Sequence, residues 1–407
     1  MNRFKSADEA TAVHRQPRPG ATDAHRATPA GATDLHRQPR PGATAVPGAI
    51  DVHQHLWPTP LIEALRARHR PPRLVGWSLE LEGEEEFEVD PRHHDPLLRA
   101  RANAAQGIGR ALISLSSPLG IELLPAAEAA ELLSAWREGA LALIRAGSFD
   151  AWAAASIEAP DPQRLERDLQ AGFVGLQLPA CALLAAADFD HVAPLLDVLE
   201  RSGRPLFIHP GPARGARGRP SWWAPVVEYV AQMHAAWFAW RAYGAPRHPH
   251  LRVLFAILAG LAPLHAERLA ARAPANRGGE KDAVAAGADG TVDPRLFVET
   301  SSYGLRAVDA TIRVLGIDQL ICGSDSPYGR LPPPALGAAA EHALRRANPE
   351  RLLAGEAGPT AGDDGGGQAS GPAASPSAIP RFALDPTEQR RSSLAESTLN
   401  ISLGGDA

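Results

Sequence analysis

AIDVHQH, residues 49–55, is a short β-prone run that ends in two histidines one residue apart. Side chains at i and i+2 of a strand share a face, so His53 and His55 project together from the end of the sheet this strand enters. Two imidazoles about 6–7 Å apart along a strand can converge on one cation by choice of rotamer. A His-x-His pair is common by itself. Its weight depends on what the rest of the chain builds around it.

Seven more apolar runs follow: RALISLS (110–116), AWAAAS (151–156), FVGLQLP (173–179), PLFIHP (205–210), VLFAIL (253–258), LFVETS (296–301) and QLICGSD (319–325). Several are apolar on consecutive positions, as strands covered on both faces of a parallel sheet should be. Between them lie Ala/Leu/Arg-rich helical stretches such as PAAEAAELLSAWREGALALI (125–144) and DHVAPLLDVLERSG (190–203), the second stopping at Gly203 just before the next strand. Eight strands alternating with helices predict the α/β class and a (β/α)8 TIM-type barrel over a doubly wound sheet. Residues 57–109, long, charged and rich in Trp and His, read as an insertion after the first strand, at the C-terminal mouth where such barrels keep their active sites.

His209 ends the fifth run and is followed by Pro210 and Gly211; Asp325 ends the eighth and is followed by another breaker. First and eighth strands are neighbours in a closed barrel, so His53, His55 and Asp325 can meet, with His209 reaching across the mouth. Three imidazoles and a carboxylate suit Zn²⁺, with Mn²⁺ or Fe²⁺ as alternatives. Glu299, at the end of the seventh run, is placed to accept a histidine N–H or a substrate donor. Trp222 and Trp223 follow the fifth run and are candidates for an apolar pocket wall. Arg92, His93 and His94 in the insertion are candidates to clamp a substrate carboxylate. Cys322 reads as an inert buried thiol.

On the segments IDVHQHLWP, GFVGLQLPA, FIHPG, LAGLAPLHAERL and CGSDSPYG, the chain resembles the amidohydrolase superfamily, and within it the amidohydrolase-2 group typified by aminocarboxymuconate semialdehyde decarboxylase. The resemblance runs from about Ile50 to Leu353. It implies one divalent metal held by His53, His55 and His209, with Asp325 as ligand or catalytic base. The fourth strand carries Gln177 where other members have the lysine that is carbamylated to bridge two metals, which argues for a single ion. One departure is pronounced. The group's His-x-Gly-Gly at the end of the sixth strand is replaced here by Leu258 and Ala259, and His265, shortly beyond, is the candidate to stand in for the missing proton donor.

The chemistry expected first is hydrolysis by a metal-activated water, with Asp325 taking the proton and passing it to the leaving group. Non-oxidative decarboxylation at the same site is the alternative, and a metal-binding barrel without catalysis a third reading. The partner is a small molecule, with a homodimer possible.

Composition bounds the rest. The chain has 407 residues, 44% of them hydrophobic, and a formal net charge of −5, which gives no basic field toward nucleic acid or an anionic membrane. Two cysteines exclude a disulfide-stapled scaffold. No run reaches the length of a membrane helix, and the opening MNRFKSADEA has no apolar stretch for a signal peptide, so a cytoplasmic location is expected. Lysine occurs only at Lys5 and Lys281, so the abundance of arginine reflects compositional bias and not phosphate binding. Residues 13–45 are three 11-residue repeats (VHRQPRPGATD, AHRATPAGATD, LHRQPRPGATA), rich in Pro and Gly, so 1–45 reads as a disordered leader. The folded domain is placed at 46–355, with a surface loop at 278–293, and 356–407 as a low-complexity linker and tail with a short helix around Asp385–Leu394.

Overall fold

The computed structural model describes residues 48–272 and 292–354, all within one compact unit. The repeat leader, the 278–291 part of the expected surface loop and the tail with its short helix lie outside the described residues.

The parallel strands are β1 (Ala49–His55), β2 (Ile108–Ser114), β3 (Asp150–Ala151 and Ala153–Ala154), β4 (Leu176–Pro179), β5 (Leu206–His209), β6 (Val253–Phe255), β7 (Leu296–Glu299) and β8 (Leu320–Ile321). β1 pairs with β2 and β2 with β3, while β3 to β8 pair in succession, every pair parallel. Backbone hydrogen bonds from Val52 N to Cys322 O (3.1 Å), Asp325 N to His53 O (2.8 Å) and His55 N to Ser326 O (2.7 Å) join β1 to the segment leaving β8. With a parallel bridge between Gln54 and Ser326, they close the ring into the barrel predicted from the sequence.

Strand ends differ from the sequence expectation by a few residues, as boundaries usually do. β8 is only Leu320–Ile321, so Asp325, read as its end, lies four residues beyond it, and a second difference is at β6. The run VLFAIL was read as strand through residue 258, but β6 stops at Phe255, and Ile257 to Leu261 turn left-handed, with φ between 44° and 61°.

Helices pack outside by ordinary amphipathic spacing. Ala186–Arg201 buries Phe189, Val192, Leu195, Leu196 and Leu199 on one face. The Asp188 carboxylate accepts the Leu184 and Ala185 N–H groups at its start, and Gly203 at φ 61° ends it one residue past the cap. The insertion after β1 contains a helix at Thr59–Ala67, a three-stranded antiparallel sheet (Arg73–Val75, Ser78–Glu80, Phe87–Glu88), a 3₁₀ turn at Pro91–His94 and a helix at Pro96–Ala105. No helix among the described residues is long and apolar enough to cross a membrane.

Candidate metal centre

The barrel brings together four side chains from β1, β5 and the end of β8. One ligand atom from each of His53, His55, His209 and Asp325 lies within 4.8 Å of the others. His53 Nε2 is 3.0 Å from His55 Nε2, and Asp325 Oδ1 is 3.1 Å from His55 Nε2 and 3.5 Å from His53 Nε2. The His209 ring stands nearly perpendicular to both, with centroids 4.8 and 5.1 Å away.

How the sequence produces this is visible strand by strand. β1 carries a register irregularity between Asp51 and Gln54, a local bend that aims His53 and His55 across the mouth. Phe207, two residues before His209 and on the same face of β5, sets an apolar floor 5.0 Å from the His53 ring. Asp325 itself is left-handed (φ 57°), a conformation Asp tolerates better than most residues, and its carbonyl accepts the N–H groups of Tyr328 and Gly329.

The surrounding groups fix the tautomers. His53 Nδ1 is 3.2 Å from Glu299 Oε1, His55 Nδ1 is 3.1 Å from Ser114 O, and His209 Nδ1 is 2.8 Å from Pro210 O. All three partners only accept hydrogen bonds, so each Nδ1 carries the proton and each Nε2 presents a lone pair. Three lone pairs and a carboxylate then converge in a buried space, an arrangement that repels itself unless a cation or a proton sits among them. The donor set is borderline N/O and fits one divalent metal. Burial opposes protonation of His53, yet the Glu299 hydrogen bond and the Asp325 and Glu299 charges outweigh it and raise its pKa. Burial lowers the pKa of His55, and holds that of His209 well below the ordinary value, helped by the other two imidazoles.

Glu299 is fully buried. Besides His53 it accepts from Ile257 N (2.7 Å), Ser301 N (2.6 Å) and Ser301 Oγ (2.6 Å). Gly323 makes this possible, because a Cβ there would stand 2.3 Å from Glu299 Oε2. Glu299, expected from the sequence to accept a histidine N–H or a substrate donor, is occupied by His53, Ile257 and Ser301.

Other candidates fall elsewhere. His265 is exposed, and its ring meets His234 at 5.1 Å; it is not one of the four clustered ligands. Trp222 is 54% exposed, and Trp223 lies under Arg219 against a small apolar cluster of Ala213, Ala216 and Ala224. Among the described residues, neither tryptophan makes a ring contact with the histidines. The Arg92 guanidinium is held by Asp90 at 2.6 Å, which keeps the Asp90 carboxyl near 2, while His94 is buried. Gln177 donates to Leu115 O and Ser117 Oγ beside the fully buried Glu122, whose carboxyl burial pushes up to about 7. Cys322 is buried and free, its thiol pushed up by burial.

Sequence reasoning missed two groups. Tyr328 is half exposed with its ring 5.8 Å from His55. Arg99 is buried, and its guanidinium binds Ser326 O (2.9 Å), His93 O (2.8 Å) and His55 O (3.3 Å), tying the insertion to the ends of β1 and β8. Burial lowers its pKa to about 10, so it stays charged at neutral pH. On Pro96–Ala105 the buried positions are Arg99 and Asn103, polar residues that hydrophobic spacing alone would assign to the solvent face.

No family model matches the chain, and no curated protein matches it. Solved structures do. The apo form of the IDCase of Metarhizium anisopliae superposes with a TM-score of 0.61 at 16% identity, over 76% of this chain and 97% of that one. The 5-carboxyvanillate decarboxylase of Sphingomonas paucimobilis gives 0.57 at 17%, over 75% and 98%. The 5-carboxyvanillate decarboxylase of Novosphingobium aromaticivorans, complexed with manganese and 4-hydroxy-3-methoxy-5-nitrobenzoic acid, gives 0.55 at 17%, over 76% and 97%. At such identities the likeness establishes architecture, and the architecture this chain shares is the barrel of these decarboxylases.

Proposed function

We propose that the chain is a carboxy-lyase that uses one divalent metal to remove carboxylate, without oxidation, from a small hydroxylated aromatic acid. The observation that carries this reading is the convergence of three Nε2 lone pairs and the Asp325 carboxylate at the mouth of a barrel shared with decarboxylases. In this reading His53, His55 and His209 hold the ion and Asp325 completes the set. A bound metal supplies a Lewis acid that anchors substrate oxygens. Manganese is the first choice, since it is the ion in a solved structure of the same fold, with zinc and iron as alternatives.

The chain's own residues do the remaining work. Glu299, Ser114 O and Pro210 O hold the imidazoles with their lone pairs inward. Asp325, the one partly exposed member of the set, has a second carboxylate oxygen not turned to the ion, on which a proton can be carried to the carbon that loses CO₂. Tyr328 stands beside His55. Trp222 and Trp223 make no ring contact with the histidines and are given no part in this reading, and His265, exposed and outside the four-ligand cluster, is not assigned the proton-donor role.

Hydrolysis through a metal-activated water is the second reading. The apolar end of β6 favours it, because the imidazole that would protonate carbon is replaced by Leu258 and Ala259. The deciding experiment loads the protein with manganese and offers 5-carboxyvanillate, 2,6-dihydroxybenzoate and related hydroxybenzoic acids, with 4-hydroxy-3-methoxy-5-nitrobenzoic acid as a binding probe. Stoichiometric CO₂ release supports the carboxy-lyase. Turnover of lactones or amides with no CO₂ from any acid supports hydrolysis instead.

A further inference from the structure

Among the groups that the reading above leaves without a task, His94 stands apart. It ends the 3₁₀ turn Pro91–His94 in the insertion over the mouth, and it is 6% exposed. Its ring lies flat on Trp57, with centroids 4.3 Å apart and planes 15° from parallel, and Trp77 covers it in parallel at 6.4 Å. Trp57 is two residues beyond His55, and its indole N–H reaches Ser116 Oγ at 2.9 Å, just past the end of β2. His94 is thereby seated over the C-terminal ends of β1 and β2, near enough to His55 for the two rings to feel each other's charge.

Its tautomer is fixed. The backbone N–H of Trp57 donates to His94 Nδ1 at 3.0 Å, so Nδ1 holds the lone pair and Nε2 carries the hydrogen. That Nε2–H has no hydrogen-bond partner among the described residues, although the atom is buried. A buried donor left without an acceptor is costly, by an amount comparable with a whole hydrogen bond. Burial above all, with the Arg99 charge behind it, pulls the His94 pKa down to about 3, so the ring stays neutral and cannot serve as an acceptor through Nε2 at working pH. Trp57 stacks on the ring and Trp77 lies parallel to it, so the one polar group of His94 left without a partner is this buried N–H.

We propose that His94 is a substrate-binding residue whose Nε2–H donates to an anionic oxygen, carboxylate or phenolate, of the acid bound at the metal centre. It takes over part of the polar contact that the apolar end of β6 does not provide. The inference rests on the function proposed above and adds the residue that recognises the substrate's charge.

The test compares the manganese-loaded wild type with His94→Asn and His94→Gln. An asparagine can still accept the Trp57 N–H but has no donor at the Nε2 position; glutamine can place an amide N–H near it. Loss of one hydrogen bond to a charged oxygen predicts that His94→Asn weakens binding of 4-hydroxy-3-methoxy-5-nitrobenzoic acid about 10- to 100-fold, measured by calorimetry. KM for a turned-over acid should rise in parallel, manganese content should remain one per chain, and His94→Gln should recover part of the loss. Equal binding by wild type and His94→Asn overturns the inference and leaves the carboxy-lyase reading standing. Failure of the manganese-loaded wild type to bind any hydroxybenzoic acid overturns both. Should the asparagine variant not fold, ¹⁵N spectra of the wild type decide: the His94 Nε2–H signal must move when the acid is added, and a signal that stays put overturns the inference.

Discussion

The ends of β1 and β6 face the same mouth and are built on opposite terms. At the end of β1 the side chains are polar, and each imidazole has one nitrogen committed to an acceptor and the other aimed inward. At the end of β6 the side chains of Ile257, Leu258 and Ala259 are apolar and buried, and the polar work is done by the backbone, which is left-handed for five consecutive residues. Left-handed backbone costs a non-glycine residue about 1–2 kcal/mol, and Ile, being β-branched, is the least suited to it. The resemblance supplies the reason for the shape: a His-x-Gly-Gly pattern puts glycines where this chain has Gly260 and Leu261. Beside that pattern, this chain has neither the imidazole nor one of the two glycines that would adopt such a path freely. One end gathers side chains able to hold a metal, the other is an apolar left-handed turn. Glu299 is the joint between them, since a single oxygen, Oε1, accepts both His53 Nδ1 and Ile257 N.

The comparison breaks first at the β1 end. The double substitution His53→Ala, His55→Ala removes two of four ligands and is expected to abolish manganese binding altogether, from one equivalent per chain to none by elemental analysis after dialysis. Retention of a full equivalent would place the ion elsewhere and end the carboxy-lyase reading. A smaller effect is expected at the joint. Glu299→Gln puts an amide NH₂ among four donors that all need an acceptor, so at least one is left facing another donor. Loss of such an orienting contact typically costs 10- to 100-fold in metal affinity. Because a buried N–H loses its acceptor whichever way the amide turns (Ser301 N if the oxygen stays at the Oε1 position, Ile257 N if it does not), melting temperature should fall even in the metal-free protein. A variant with weakened metal binding and unchanged metal-free stability would show that the two ends are independent.

Much of the site was legible in the chain before folding was considered. His53 and His55 were readable from a two-residue spacing, and His209 and Asp325 from breakers that follow apolar runs. Glu299 was readable as a carboxylate at a strand end, because barrel topology sends every strand end to one mouth. Three features were not readable, each for a physical reason. Arg99 and Tyr328 reach the centre through loops and a helix whose docking depends on tertiary packing, which no local period encodes. The early stop of β6 was hidden because a left-handed run of apolar residues has the same hydrophobic pattern as a buried strand. The tautomers depend on carbonyls of Ser114 and Pro210, backbone groups present at every residue and therefore silent in a sequence.

The smallest expected effects test the left-handed turn itself, and two neighbouring positions separate strain from packing. Gly260 and Ala259 share nearly the same φ, 59° and 48°. In Gly260→Ala the new methyl would stand 2.4 Å from Val230 O, on the helix packed against the turn, and it would also take on the left-handed cost. Destabilisation of about 2 kcal/mol or more is expected by denaturant titration. Ala259→Gly runs the other way. It relieves about 1–2 kcal/mol of left-handed strain, but it gives up a buried methyl worth about 0.8 kcal/mol and adds roughly 0.5–1 kcal/mol of unfolded-state freedom. These terms nearly cancel, so the change should stay within about 1 kcal/mol of zero, unusually mild for a fully buried position. A loss above about 2 kcal/mol at residue 259 would mean that the turn is held by packing alone and that its backbone carries no strain, making the end of β6 an ordinary piece of core.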